Sequence, residues 1–133
     1  MNPDSATRDF VRRRAGGRCE YCLLPQECFD VSHHIEHIVA RQHGGSDGTN
    51  NLALACQLCN LHKGPNLAGI DPASGEVAVL FHPRKDLWTA HFQFVGAFIE
   101  GTTPTGRATV LVLAMNGEIQ LELRLALLAS GAI

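Results

Sequence analysis

No apolar run in this sequence approaches the ~20 residues that a membrane-spanning helix needs. The longest, around Thr109–Met115, is far shorter. The opening MNPDSATRDF holds no apolar signal stretch either, which predicts a cytoplasmic chain with no membrane partner. Positive charge is also scarce: 11 Lys and Arg stand against 13 Asp and Glu, a formal net charge of −2. Any surface for a polyanion must therefore be local, and Arg8, Arg12, Arg13, Arg14 and Arg18 form the one dense basic stretch. No internal repeat or low-complexity tract is present. Hydrophobic content of 45% and charged content of 18% exclude wholesale disorder. A chain of 133 residues is expected to fold around one compact core.

Local patterns predict an α+β order. Ser5 to about Ala15 reads as a helix capped by Ser5 and ended at Gly16-Gly17. Phe29–Ile38 reads as a strand, Gly44–Asn50 as a loop, Leu52–Ala55 as a second strand, and Cys56–Lys63 as the start of a helix closed at Gly64-Pro65. Beyond Pro65, strands are expected at Val77–Phe81 and Phe92–Ile99, then helices at Ala108–Met115 and Ile119–Ala129. Leu121, Leu125 and Leu128 recur at helical spacing and are expected in the core.

Cysteine is the one unusual abundance. Cys19-Glu-Tyr-Cys22 and Cys56-Gln-Leu-Cys59 are two Cys-x-x-Cys pairs. Each fits one edge of a tetrahedral zinc site, and four thiolates at about 2.3 Å would leave the ion no open position. The zinc would thus be structural, contributing folding free energy to a small core. Disulfides and a thiol redox pair are the less favoured alternatives, and Cys28 is left over.

Between the pairs lie His33-His34-Ile35-Glu36-His37-Ile38, and after them Asn60-Leu61-His62-Lys63. Phosphodiester hydrolysis needs an attacking water, a base to deprotonate it and a cation for the charge developing on phosphate. His37 suits the base, and a carboxylate with an amide, Glu36 and Asn60, suits a hard Mg²⁺ or Mn²⁺ ion.

The run Glu36-His37-Ile38, Gly44-Gly45, Asn51-Leu52 and Cys56-x-x-Cys59-Asn60-x-x-Lys63-Gly64, with Cys19-x-x-Cys22 upstream, resembles the HNH endonuclease family. The resemblance implies a ββα-metal (His-Me finger) fold in residues 1–68, with 69–133 as a strand and helix extension packed on it. It implies His37 as general base, Glu36 and Asn60 as ligands of the catalytic ion, and Asn51 as the brace of the histidine loop. Cys19, Cys22, Cys56 and Cys59 would hold the structural zinc. Lys63, Arg12, Arg13 and Arg14 are the expected nucleic-acid contacts. The extension is also similar to that of a subgroup of small bacterial HNH proteins. Ala40 stands where many members have proline, and Asn60 where others have histidine; neither removes a catalytic group.

The expected activity is metal-dependent hydrolysis of double-stranded DNA. The rival from another class is a non-catalytic zinc module that binds DNA or protein. Sequence specificity is expected to come from a homodimer or a separate partner, since one short arginine stretch is all that could read nucleic acid.

Overall fold

The computed structural model describes residues 3–133 and is α+β. The chain enters through α1 (Ser5–Arg14). Asp4, rather than the expected Ser5, is the cap, because its carboxylate is the one that reaches the Thr7 N–H, at 2.8 Å. Val11 is the buried residue of α1 and packs on Leu52 and Leu54.

The strand expected over Phe29–Ile38 shrinks to β1 (His34–His37). Gln26 explains the loss. Its amide donates to the Val31 carbonyl, and its side-chain oxygen accepts from the His33 N–H, so the preceding segment is held by a side chain instead of a ladder. β2 (Leu52–Ala55) pairs antiparallel with β1, setting Ile35 against Leu54, Glu36 against Ala53 and His37 against Leu52. Alternation then divides the ribbon. Ile35, Leu52 and Leu54 meet α1 on one face. Glu36 and Ala53 turn to the main core on the other. α2 (Gln57–Lys63) follows, with Cys56 at its N-cap.

The extension begins with a hairpin, β3 (Ala68–Ile70) and β4 (Val77–Val79). A single turn, α3 (Trp88–His91), leads into a second hairpin, β5 (Phe92–Val95) and β6 (Phe98–Gly101). This hairpin replaces the one strand expected at Phe92–Ile99, and its turn carries Gly96 at φ +59°. α4 (Pro104–Val112) starts earlier than apolar periodicity suggested, because Thr103 caps it and Pro104 opens it. α5 (Glu118–Ala129) closes the chain. One apolar cluster joins the four paired cysteines, Tyr21 and Leu24 to Leu80, Phe81, Phe92, Ile99, Leu113 and Met115 of the extension. Among the described residues no helix is long and apolar enough to cross a membrane.

α5 turns a different face inward than its leucines suggested. Leu125 is 56% exposed and Leu128 is also exposed, while Arg124 and Gln120 are buried. The Arg124 guanidinium donates to the carbonyls of Ala97 and Met115, each at 2.6 Å, and to the Asn116 side-chain oxygen. Those acceptors belong to the β5–β6 turn and the α4–α5 connection, and the Asn116 oxygen also accepts from the Ile99 N–H. Leu123 and Leu127 pack beside it.

α4 is fastened to the β3–β4 hairpin by a two-pronged ion pair, Arg107 Nε and a terminal nitrogen donating to the two Asp71 oxygens at 2.8 and 3.0 Å. Arg107 thereby holds the Asp71 carboxyl well below the usual carboxylate range. A depressed folded-state pKa contributes stability above the unfolded value of about 3.9 and loses it as pH falls through the folded one. We expect Arg107→Ala to lower the urea midpoint at pH 7. The difference from wild type should shrink as the pH is taken from about 4 downward; a constant difference would show that the pair is not its source.

Candidate functional site

The two cysteine pairs meet at the base of the ribbon. Cys19, Cys22, Cys56 and Cys59 are buried, with all four sulfurs within 4.8 Å of one another. The Cys22 and Cys56 sulfurs are 3.7 Å apart, and a tetrahedron with bonds of about 2.3 Å has edges of about 3.8 Å. The Cys22 N–H points at Cys19 Sγ and the Cys59 N–H at Cys56 Sγ, each stabilising a thiolate. Hydrogen bonds from neighbouring thiols, Cys19 foremost, hold Cys56 far below the ordinary thiol range. Spacing, burial and donor chemistry all fit a zinc ion. Among the described residues no other cluster of His, Cys, Asp and Glu has metal-ligand spacing.

The first pair also anchors the extension. Glu20 accepts from the Leu54 N–H at 2.8 Å and pairs with Arg84, while the Trp88 indole N–H donates to the Tyr21 carbonyl at 2.8 Å. Tyr21 itself is buried and sends its hydroxyl to Glu36 Oε1 at 2.6 Å.

Glu36 is 6% exposed. Burial raises its carboxyl above the usual range, against the pull of Lys63 and the Tyr21 hydroxyl. Its Oε2 lies 3.3 Å from Lys63 Nζ but has no hydrogen-bonding partner. The Asn60 amide, one turn before Lys63 on α2, makes no hydrogen bond among the described residues. Of the two groups expected to hold a catalytic ion, the Asn60 amide is uncommitted, while both Glu36 oxygens lie beside a donor, Oε1 at the Tyr21 hydroxyl and Oε2 at the Lys63 ammonium. The Lys63 ammonium is the unfavourable neighbour, since it already supplies positive charge to Glu36.

Lys63 departs from its expected place on the surface. It is 2% exposed, with Nζ donating to the Ile38 carbonyl at 2.9 Å, so it braces the end of β1 instead of facing a ligand. Arg14 is likewise engaged: it donates to the Thr49 and Leu52 carbonyls at 2.9 and 2.7 Å, clamping β2 to α1. Arg13 donates to the Asp9 carbonyl of its own helix, and Arg12 remains uncommitted. His33 is buried, with Nε2 3.0 Å from the Leu24 carbonyl.

His37 sits at the open end of β1 with its side chain 18% exposed. Its Nε2 lies 2.7 Å from Asp47 Oδ1, and Arg41 Nε donates to the same oxygen at 3.1 Å. The His37 contact, ahead of Arg41, lowers the Asp47 carboxyl below its usual range. An ionised carboxylate only accepts, so Nε2 donates in this contact and Nδ1 is the nitrogen left for another partner. Asn51 holds the intervening loop: its side chain accepts from the Val39 N–H and donates to the Val39 and Ser46 carbonyls at 2.8–2.9 Å. Gly45 passes so close to the Val39 carbonyl that any Cβ there would collide with it. Sequence reasoning missed Asp47, which looks like one more polar loop residue, and Tyr21, whose role depends on a partner 15 positions away.

Residues 19–66 match the family model described as HNH endonuclease. The cysteine pairs, the ribbon, its loop and α2 lie inside that match, while α1 and the extension lie outside it. No curated protein and no solved structure matches the chain.

With four buried sulfurs so close, the metal-free chain must keep them protonated or pay in charge repulsion. We expect the purified protein to contain one equivalent of zinc, and a strong chelator to remove it with loss of cooperative thermal unfolding. Cys56→Ser should do the same. Retention of the full melting transition after complete zinc removal would show that the cluster is not what holds the fold.

Proposed function

We propose that the chain is a metal-dependent endonuclease of the ββα-metal type that hydrolyses phosphodiester bonds of double-stranded DNA, with His37 as general base. The HNH-family match supports the nuclease class. The observation that carries the mechanism is the 2.7 Å contact between His37 and Asp47 at the half-open end of the ribbon.

Asp47 fixes the tautomer, and His37 Nδ1 takes a proton from a water molecule. That water oxygen attacks phosphorus in line, the bond from phosphorus to the 3′ oxygen breaks, and solvent returns a proton to the leaving oxygen. Asn51 and Gly45 keep the loop tight enough that Asp47 stays opposite the imidazole. A Mg²⁺ or Mn²⁺ ion held by Glu36 and Asn60 would supply positive charge to the phosphate and the leaving oxygen. Tyr21 and Lys63 orient the Glu36 carboxylate from behind.

A second function is favoured by one feature. Lys63 already faces Glu36 Oε2 at 3.3 Å, as in a zinc module that binds nucleic acid or protein and needs no further ion. Plasmid cleavage separates the two.

We expect zinc-loaded protein to nick or linearise supercoiled plasmid only with Mg²⁺ or Mn²⁺. His37→Ala should lower the rate by about 10²–10⁴ while keeping zinc and fold. Wild-type cutting by that variant would refute the assignment, and a folded wild type that never cuts would select the binding module. Asp47→Asn should slow cutting by on the order of 10², because an amide can donate to Nε2 and leave the proton on Nδ1. If it cuts at the wild-type rate, the dyad is incidental.

A further inference from the structure

A cavity of about 420 Å³ opens between α1 and the start of β1. Arg8, Arg12, Ser32, His33, His34 and Ile35 line it, and no carboxylate does. Arg8 and Arg12 lie one helical turn apart and so project from the same side of α1. Arg8 spends one terminal nitrogen on the Pro3 carbonyl, and the Arg12 side chain makes no hydrogen bond among the described residues. His33 is spent elsewhere: it is 1% exposed, with Nε2 3.0 Å from the Leu24 carbonyl. Two guanidinium groups with spare donors and the Ser32 hydroxyl suit a tetrahedral oxyanion.

Position says which oxyanion. Ile35 lines the cavity, and by strand alternation His37 shares its face two residues further along β1. Two residues of strand span about 7 Å, so a chain of phosphates lying along β1 with one at His37 brings a neighbour to the arginines. We propose that this cavity seats a backbone phosphate of the strand being cut, flanking the scissile one. The proposal rests on the nuclease function above. It moves the basic contact from Arg12-Arg13-Arg14 to Arg8 and Arg12, since Arg13 and Arg14 are bonded to carbonyls.

The test uses full-length, zinc-loaded His37→Ala protein, so that bound DNA stays intact. Affinity for a labelled duplex is measured by anisotropy across a NaCl series, with and without Arg8→Ala/Arg12→Ala. Losing one phosphate contact should make the slope of log K against log[NaCl] shallower by about 1. Zinc content and melting should not move. Arg12→Gln alone should weaken binding, and Arg12→Lys should restore most of it. An unmoved slope and affinity overturn the proposal. So does loss of inorganic phosphate binding without any change toward DNA, which would make the cavity a free-anion site. Plasmid cutting by the wild-type chain, run alongside, tests the nuclease function by itself: cutting with an unmoved slope sinks the phosphate seat alone.

Discussion

Four sulfurs brought within 4.8 Å set most of what surrounds them. They join a turn near the N-terminus to the first turn of α2, and Cys56 is at once a sulfur of the cluster and the cap of that helix. The direction of α2, and with it the placement of Asn60 and Lys63, follows from the cluster. The extension is fastened to the same turn through Glu20, paired with Arg84, and through the Tyr21 carbonyl, bonded to Trp88. In a chain of 133 residues, an ion held by these sulfurs would add a long-range restraint to those supplied by the shared apolar cluster.

The ribbon then sorts charge by depth. Glu36 and His37 are adjacent in sequence, yet strand geometry sends the first into the core, against Tyr21 and Lys63, and leaves the second at an open end against Asp47. Burial raises the Glu36 carboxyl, whereas a charge-assisted hydrogen bond lowers that of Asp47. Two carboxylates of one loop-and-ribbon unit are thereby held in opposite electrostatic conditions, one buried against an ammonium and a phenol and one exposed against an imidazole and a guanidinium.

What could be read from the sequence was local. The cysteine pairs, α1, β2 and α2 carry their signals within a few residues: paired thiols, a run of helix formers ended by Gly16-Gly17, a short apolar strand. What could not be read depends on partners far along the chain. Lys63 looks like a helix-end surface lysine until Ile38 and Glu36 are placed beside it. Leu125 and Leu128 look like core until Arg124 claims the inward face by reaching three oxygen acceptors. Gln26 erases half of an expected strand through two side-chain bonds that periodicity does not register. Asp47 sits in a loop whose composition announces only a turn.

Arg124 carries a consequence for how the extension can diverge. Two of its three acceptors are main-chain carbonyls, at Ala97 and Met115. A carbonyl is the same whatever side chain it bears, so this clamp asks for one arginine and leaves its partners free to drift. The fold of the extension can therefore persist while its sequence wanders. The cysteine pairs have no such freedom, because each of the four positions contributes its own sulfur.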